Sequence, residues 1–152
     1  MPRADSRAVP RWLLALFGGA LLAWGAAVAR ERATPPVLQL RVHWLTLAQV
    51  PATPGRPVLY FFGADRDENS ANQDEVFQDE ELVEAVHRNV LPVRVRDRKY
   101  EDGVNSPEVQ SMLDRYQVTS LPALVVQPAG DGPPRQLRGL QRADAVRVLV
   151  GD

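Results

Sequence analysis

The residues with the most chemistry in this chain stand together in one polar stretch, Asp65-Arg66-Asp67-Glu68-Asn69-Ser70. Asp65-x-Asp67-x-Asn69 has the spacing of the opening ligands of a calcium loop. The sixth position of such a loop calls for glycine and holds Ser70, and the twelfth calls for a bidentate Glu and holds Val76. The carboxylates of Asp65, Asp67 and Glu68 are the right groups for hydrolytic acid–base work, but that work needs burial to set two carboxylates apart in proton affinity, and an exposed loop does not supply it. Ser70 and Ser120 offer hydroxyls with no histidine assigned as a base. His43 has only His87 as a second imidazole and no cysteine or histidine at metal spacing, so it reads as structural. No glycine-rich phosphate loop is present, since Gly18-Gly19 falls in an N-terminal apolar segment. We therefore assign no catalytic, cofactor-binding or metal residue, and no cofactor.

Composition narrows the chemistry further. The chain of 152 residues has no cysteine, so no thiol can react and no disulfide can brace the fold. A formal net charge of −1 gives no global electrostatic handle and argues against a nucleic-acid partner, which would need a basic face. The charge is unevenly spread, with nine acidic residues against one basic between Asp65 and Glu84. Such a run is either a solvated face or an attraction for a basic partner. Arg94, Arg96 and Arg98 are expected to lie opposite it across the domain.

The elements that must position the polar stretch can be read from periodicity and caps. Val58 to Phe62 is an unbroken apolar run of β-branched and aromatic residues, which predicts a central strand covered on both faces and ended by Gly63-Ala64. The polar stretch then follows as a loop at the strand's C-terminal end, where open α/β sheets place their sites. Asp79 is the expected cap of a helix through Asn89, with Leu82, Val83 and Val86 on one face. Val90 to Val95 predicts a second strand, and Asp97 to Asn105 a charged loop closed by Gly103. Ser106, Pro107 and Glu108 form the clearest helix start, followed by Val109, Met112, Leu113 and Tyr116 on one face. Ala123 to Val126 is a third strand, Arg135 to Arg138 its hairpin partner, and Arg142 to Val150 a closing helix. Upstream, Val37 to Trp44 fits a short edge strand with Trp44 as a core anchor, and Trp44 to Val50 a helical turn. The order is α/β followed by a hairpin.

Residues 1–30 read as an export segment. Arg3, Arg7 and Arg11 precede an uncharged stretch from Trp12 to Ala29, which rises roughly 27 Å as a helix, close to a hydrocarbon core of ~30 Å. Ala27-Val28-Ala29 reads as a cleavage site, whereas the full uncharged length with Trp12 and Trp24 favours retention. The expectation is a domain at the periplasmic face of the inner membrane, anchored through residues 12–29, or soluble in the periplasm if cleavage follows Ala29. Residues 31–41 are a tether and 42–152 the folded domain.

The run PVLYFFGAD, with Val76-Phe77, Asp79, Val90 to Val95, Tyr116-Gln117-Val118, Leu121-Pro122 and Gly139, resembles thioredoxin-like proteins. It is similar in particular to exported domains related to the C-terminal domain of membrane disulfide-interchange proteins. The resemblance covers about Val42 to Val150 and implies a central mixed sheet flanked by helices. In that family the strand leads into Trp-Cys-x-x-Cys. Matching without a gap places Arg66, Asp67, Glu68 and Asn69 on the Cys-x-x-Cys positions, and sliding by one residue places Asp67 and Ser70 at the cysteines. Neither register yields a thiol, so the attack and resolution steps of disulfide exchange have no reagent. Tyr60 falls where the family carries a buried acid. The resemblance also implies that Leu121-Pro122 is the family's cis-proline, and that the backbone of Ser120, Leu121 and Pro122 is a peptide-binding edge. The leading expectation is a redox-inactive module that binds an extended segment of a protein partner in the cell envelope. An enzyme of non-thiol chemistry at the Asp65–Ser70 loop and a structural envelope subunit are the alternatives.

Overall fold

A computed structural model describes residues 41–151. The expected export segment, and all of the expected tether but residue 41, lie outside the described residues. Among the described residues no helix is long and apolar enough to cross a membrane. In chain order the elements are β1 (Val58–Gly63), α1 (Glu68–Val76), α2 (Glu80–Asn89), β2 (Leu91–Arg96), a short α3 (Lys99–Asp102), α4 (Pro107–Arg115), β3 (Ala123–Gln127), β4 (Arg135–Arg138) and α5 (Ala143–Val150).

One sheet of order β2-β1-β3-β4 organises them. β1 runs parallel to β2, with Tyr60 opposite Val93, and antiparallel to β3, with Tyr60 opposite Val125. β3 and β4 form the expected antiparallel hairpin. Because side chains alternate across a strand, the apolar run of β1 feeds two cores at once. Leu59 and Phe61 pack with Leu82, Val83 and Val86 of α2 and Val146 and Leu149 of α5. Val58, Tyr60 and Phe62 pack on the other face with Leu113 and Tyr116 from α4 and its end.

The predicted caps are in place. Asp79 accepts from the Leu82 N–H and Ser106 from the Val109 N–H, with Pro107 opening α4. Trp44 anchors in the core as expected, edge-on to Phe77 at 4.9 Å and tilted against Phe61 at 5.5 Å.

Four expectations are corrected. Residues 41–44 form no strand, and the sheet contact falls instead at Leu45, in a single parallel bridge to Val93. The Leu45 N–H donates to Pro92 and its carbonyl accepts from Arg94, both at 2.9 Å, so this segment covers the outer edge of β2. The charged loop after β2 contains the helical turn α3, which Gly103 ends at φ 80°. The polar stretch after β1 is a loop only as far as Asp67, because α1 begins at Glu68. Finally, Arg94 and Arg96 lie beside the acidic run: Arg94 makes a forked ion pair with Asp74 of α1, and Arg96 pairs with Asp65 at 3.4 Å. Arg94 reaches Asp74 by crossing the Phe61 ring, 4.8 Å from its centroid. Its aliphatic stem is thereby buried while its charge is met at the edge.

Candidate functional site

The site is built where β1 ends. Gly63 is the last strand residue, and a Cβ there would stand 3.2 Å from Ser70 Oγ, so the absence of a side chain lets the first turn of α1 close against the strand. Asp67 caps α1. Its Oδ2 accepts from the Ser70 N–H at 2.7 Å and from the Ser70 hydroxyl at 2.6 Å. Ser70 Oγ in turn accepts from the Ala64 N–H at 3.2 Å. Ser70 is fully buried, so its hydroxyl is satisfied on both sides and out of reach of a substrate.

The other residues of the polar stretch stand elsewhere. Asp65, Arg66, Glu68 and Asn69 are exposed. The Arg66 N–H donates to Glu101 Oε1 at 3.1 Å, which ties the loop to α3. Of the two pairs spaced for a Cys-x-x-Cys, the structure brings Asp67 and Ser70 into direct contact. Among the described residues no group of three or more histidine or acidic side chains is arranged to hold a metal ion.

Beside Asp67 opens a groove of about 580 Å³. Its lining comes from three parts of the chain: Ala64, Arg66 and Asp67 after β1, Asp97, Lys99 and Asn105 after β2, and residues of α4 and the segment before β3, among them Leu113, Val118 and Leu121. Four of its polar side chains are engaged with one another: Asp97 Oδ1 accepts from the Asn105 amide, as it does from the Lys99 N–H, and within α4 Asp114 accepts from Gln110. The Leu121-Pro122 bond is cis, and the Pro122 carbonyl accepts from the Gly139 N–H at 2.8 Å. Pro122 is buried, Leu121 half-buried and Ser120 exposed. Among the described residues the main chain of Thr119, Ser120 and Leu121 forms no backbone hydrogen bond. Such groups remain available to a strand laid alongside.

One buried polar residue, Gln73, was not legible from the sequence, whereas Tyr60 was already singled out through the resemblance. Gln73 is fully buried and clasps the chain after β4: the Gln141 N–H donates to its Oε1 at 2.7 Å, and its amide donates back to the Gln141 carbonyl. The signal available was its place three residues after Ser70, on the same helix face. Tyr60 lies 5.5 Å from Tyr116, ring to ring. Burial pushes both phenols above the ordinary tyrosine range, with the Arg115 guanidinium pulling each partly back.

No family model matches the chain, and no curated protein matches it. Solved structures do. The chain is similar to chloroplastic thioredoxin z, with a TM-score of 0.54 and 18% identity over 73% of this chain and 92% of that one. A thioredoxin-fold protein from Helicobacter pylori matches with a TM-score of 0.52 and 15% identity over 62% of this chain and 66% of its own. The oxidised C-terminal domain of DsbD from Neisseria meningitidis matches with a TM-score of 0.48 and 24% identity over 61% and 76%. The fold is thioredoxin-like, and it carries no cysteine. Thiol–disulfide exchange therefore has no nucleophile in this protein.

Proposed function

We propose that this chain is a redox-silent thioredoxin-like module of the cell envelope that binds an extended segment of a protein partner along Ser120, Leu121 and Pro122. The observation that carries the reading is the main chain of Thr119–Leu121, without a backbone hydrogen bond among the described residues, lining an open groove. A peptide laid alongside gains main-chain hydrogen bonds for affinity, with Leu113, Val118 and Leu121 as the apolar members of the groove for its alternate side chains. The envelope address rests on the basic start and the uncharged stretch at residues 12–29. A flat polar surface around Leu121 would favour a spacer role, and the groove speaks for binding instead. No observation favours an enzyme at the Asp65–Ser70 loop, whose one hydroxyl is sealed in the core.

The test is photocrosslinking in the native host, with a photoreactive residue replacing the exposed Ser120 and, as control, the exposed Arg135 on β4. Capture of one envelope protein from position 120 and not from 135 is the expected result. Equal or empty capture from both positions would sink the reading.

A further inference from the structure

We propose that the two histidines of this chain form a proton-operated latch at the entry to the domain: neutral His87 fastens the incoming segment at His43, and protonated His87 loosens residues 41–43 from α2. His43 and His87 are the only histidines in the sequence. They stand 44 positions apart, yet their rings are stacked with centroids 5.7 Å apart and planes 7° from parallel. The His43 N–H donates to His87 Nε2 at 3.4 Å, so the bond between the segment and the helix is accepted by a nitrogen that titrates. A neutral imidazole has one accepting nitrogen, and an imidazolium has none. Once the proton is on, turning the ring over cannot restore the bond, and two N–H donors face each other.

The surroundings decide which side gives way. On α2, His87 and Arg88 lie in the last turn, where the helix dipole favours a cation, and Glu84 stands one turn earlier. From the segment before β1, Arg56 donates to the carbonyls of His87 and Val90 and is held by that same helix end. The α5 charge that meets α2, Arg147, is engaged by Glu81 in the first turn of the helix. The incoming segment brings Arg41 and His43, an arginine and a second imidazole with no carboxylate between them. A proton on His87 is therefore accommodated by the helix and opposed by the segment, and the segment is the side that moves.

The extent of the motion is bounded by the next anchors. Val42 sits in the core that α2 shares, Trp44 packs on Phe61 and Phe77, and the Leu45 N–H donates to Pro92 at 2.9 Å. Acid thus makes residues 41–43 open more often, by the factor that the lost bond contributed, and leaves the sheet and the groove as they are. The latch is independent of any partner in that groove.

The test is residue-resolved amide exchange of the full chain at about pH 8 and about pH 5, on either side of the interval in which histidines titrate. Rates are expressed as protection, which removes the pH dependence of exchange itself. In the wild type, protection of the His43 amide is expected to fall by about fivefold in acid, the size expected of one hydrogen bond, while the Leu45 amide keeps its protection. H87Q supplies an amide oxygen that accepts but does not titrate, and should hold His43 protection within about twofold across the same range. H87A should leave the His43 amide as weakly protected at the higher pH as the wild type is in acid. Protection that does not fall in the wild type, or that falls equally in H87Q, overturns the proposal.

Discussion

Asp67 closes the first turn of α1 and takes up the buried Ser70 hydroxyl, so its carboxylate holds one cap and one interior polar group together. Removing it forfeits about 1 kcal/mol for the cap and about 1–3 kcal/mol for a hydroxyl left buried without an acceptor. D67A is expected to lose about 2–4 kcal/mol in urea denaturation, and D67N much less, because an amide oxygen still accepts. Tyr60 and Tyr116 give a second prediction at this scale. Their phenols are raised in the folded state, chiefly by burial. The folded protein then holds these protons more tightly than the unfolded chain. The stability they contribute is complete below the ordinary tyrosine value of ~10 and is lost as pH rises through the raised values. Denaturation midpoints measured from pH 8 to 11 should fall at the alkaline end, and Y60F should flatten that fall; an equal fall in wild type and Y60F would remove burial of Tyr60 as its cause.

At the scale of elements, α1 is the unusual one. Its sequence ENSANQDEV has no apolar stripe, and the side chains it buries are Ser70 and Gln73. It is held by polar contacts to three other parts of the chain, the end of β1 through Ala64, β2 through the Arg94–Asp74 pair and the segment after β4 through Gln141. Q73L keeps much of the volume and strands the Gln141 N–H. We expect a loss of about 1–3 kcal/mol, and amide exchange measured residue by residue should be faster in α1 and at Gln141 than in α2. Uniform loss of protection across both helices would show that Gln73 is no special clasp. Hydrophobic periodicity could not reveal this helix. It locates a buried face by apolar spacing, and here that face is polar. The caps of α2 and α4 were readable because Asp79 and Ser106 act within a single turn. The arginines of β2 were misplaced for a related reason. Alternation along the strand shows which side chains share a face, but not that α1 brings Asp74 to the face of Arg94.

For the whole molecule, β1 is the element both cores share, with Phe61 fully buried on one side and Phe62 on the other. A domain of this size is stable by about 5–15 kcal/mol. F61A, which opens a cavity beneath Trp44, Phe77 and the Arg94 stem, should cost about 3–5 kcal/mol. Its thermal midpoint should fall by more than that of any surface substitution, and a shift no larger than that of Q73L would count against β1 as the common support. The sequence by itself determined the four strands of the sheet, the caps of α2 and α4 and the absence of thiol chemistry, since apolar runs, caps and residue types are local properties, whereas the cis-proline position came through the family resemblance. Only the tertiary structure decided that α1 is a helix, that Asp67 meets Ser70, that the arginines pair with the acidic run, and that the edge at Leu121 opens on a groove. Each of these depends on groups brought together from distant parts of the chain, as Gln73 and Gln141 are across 68 positions, or on which face of a helix the rest of the fold covers.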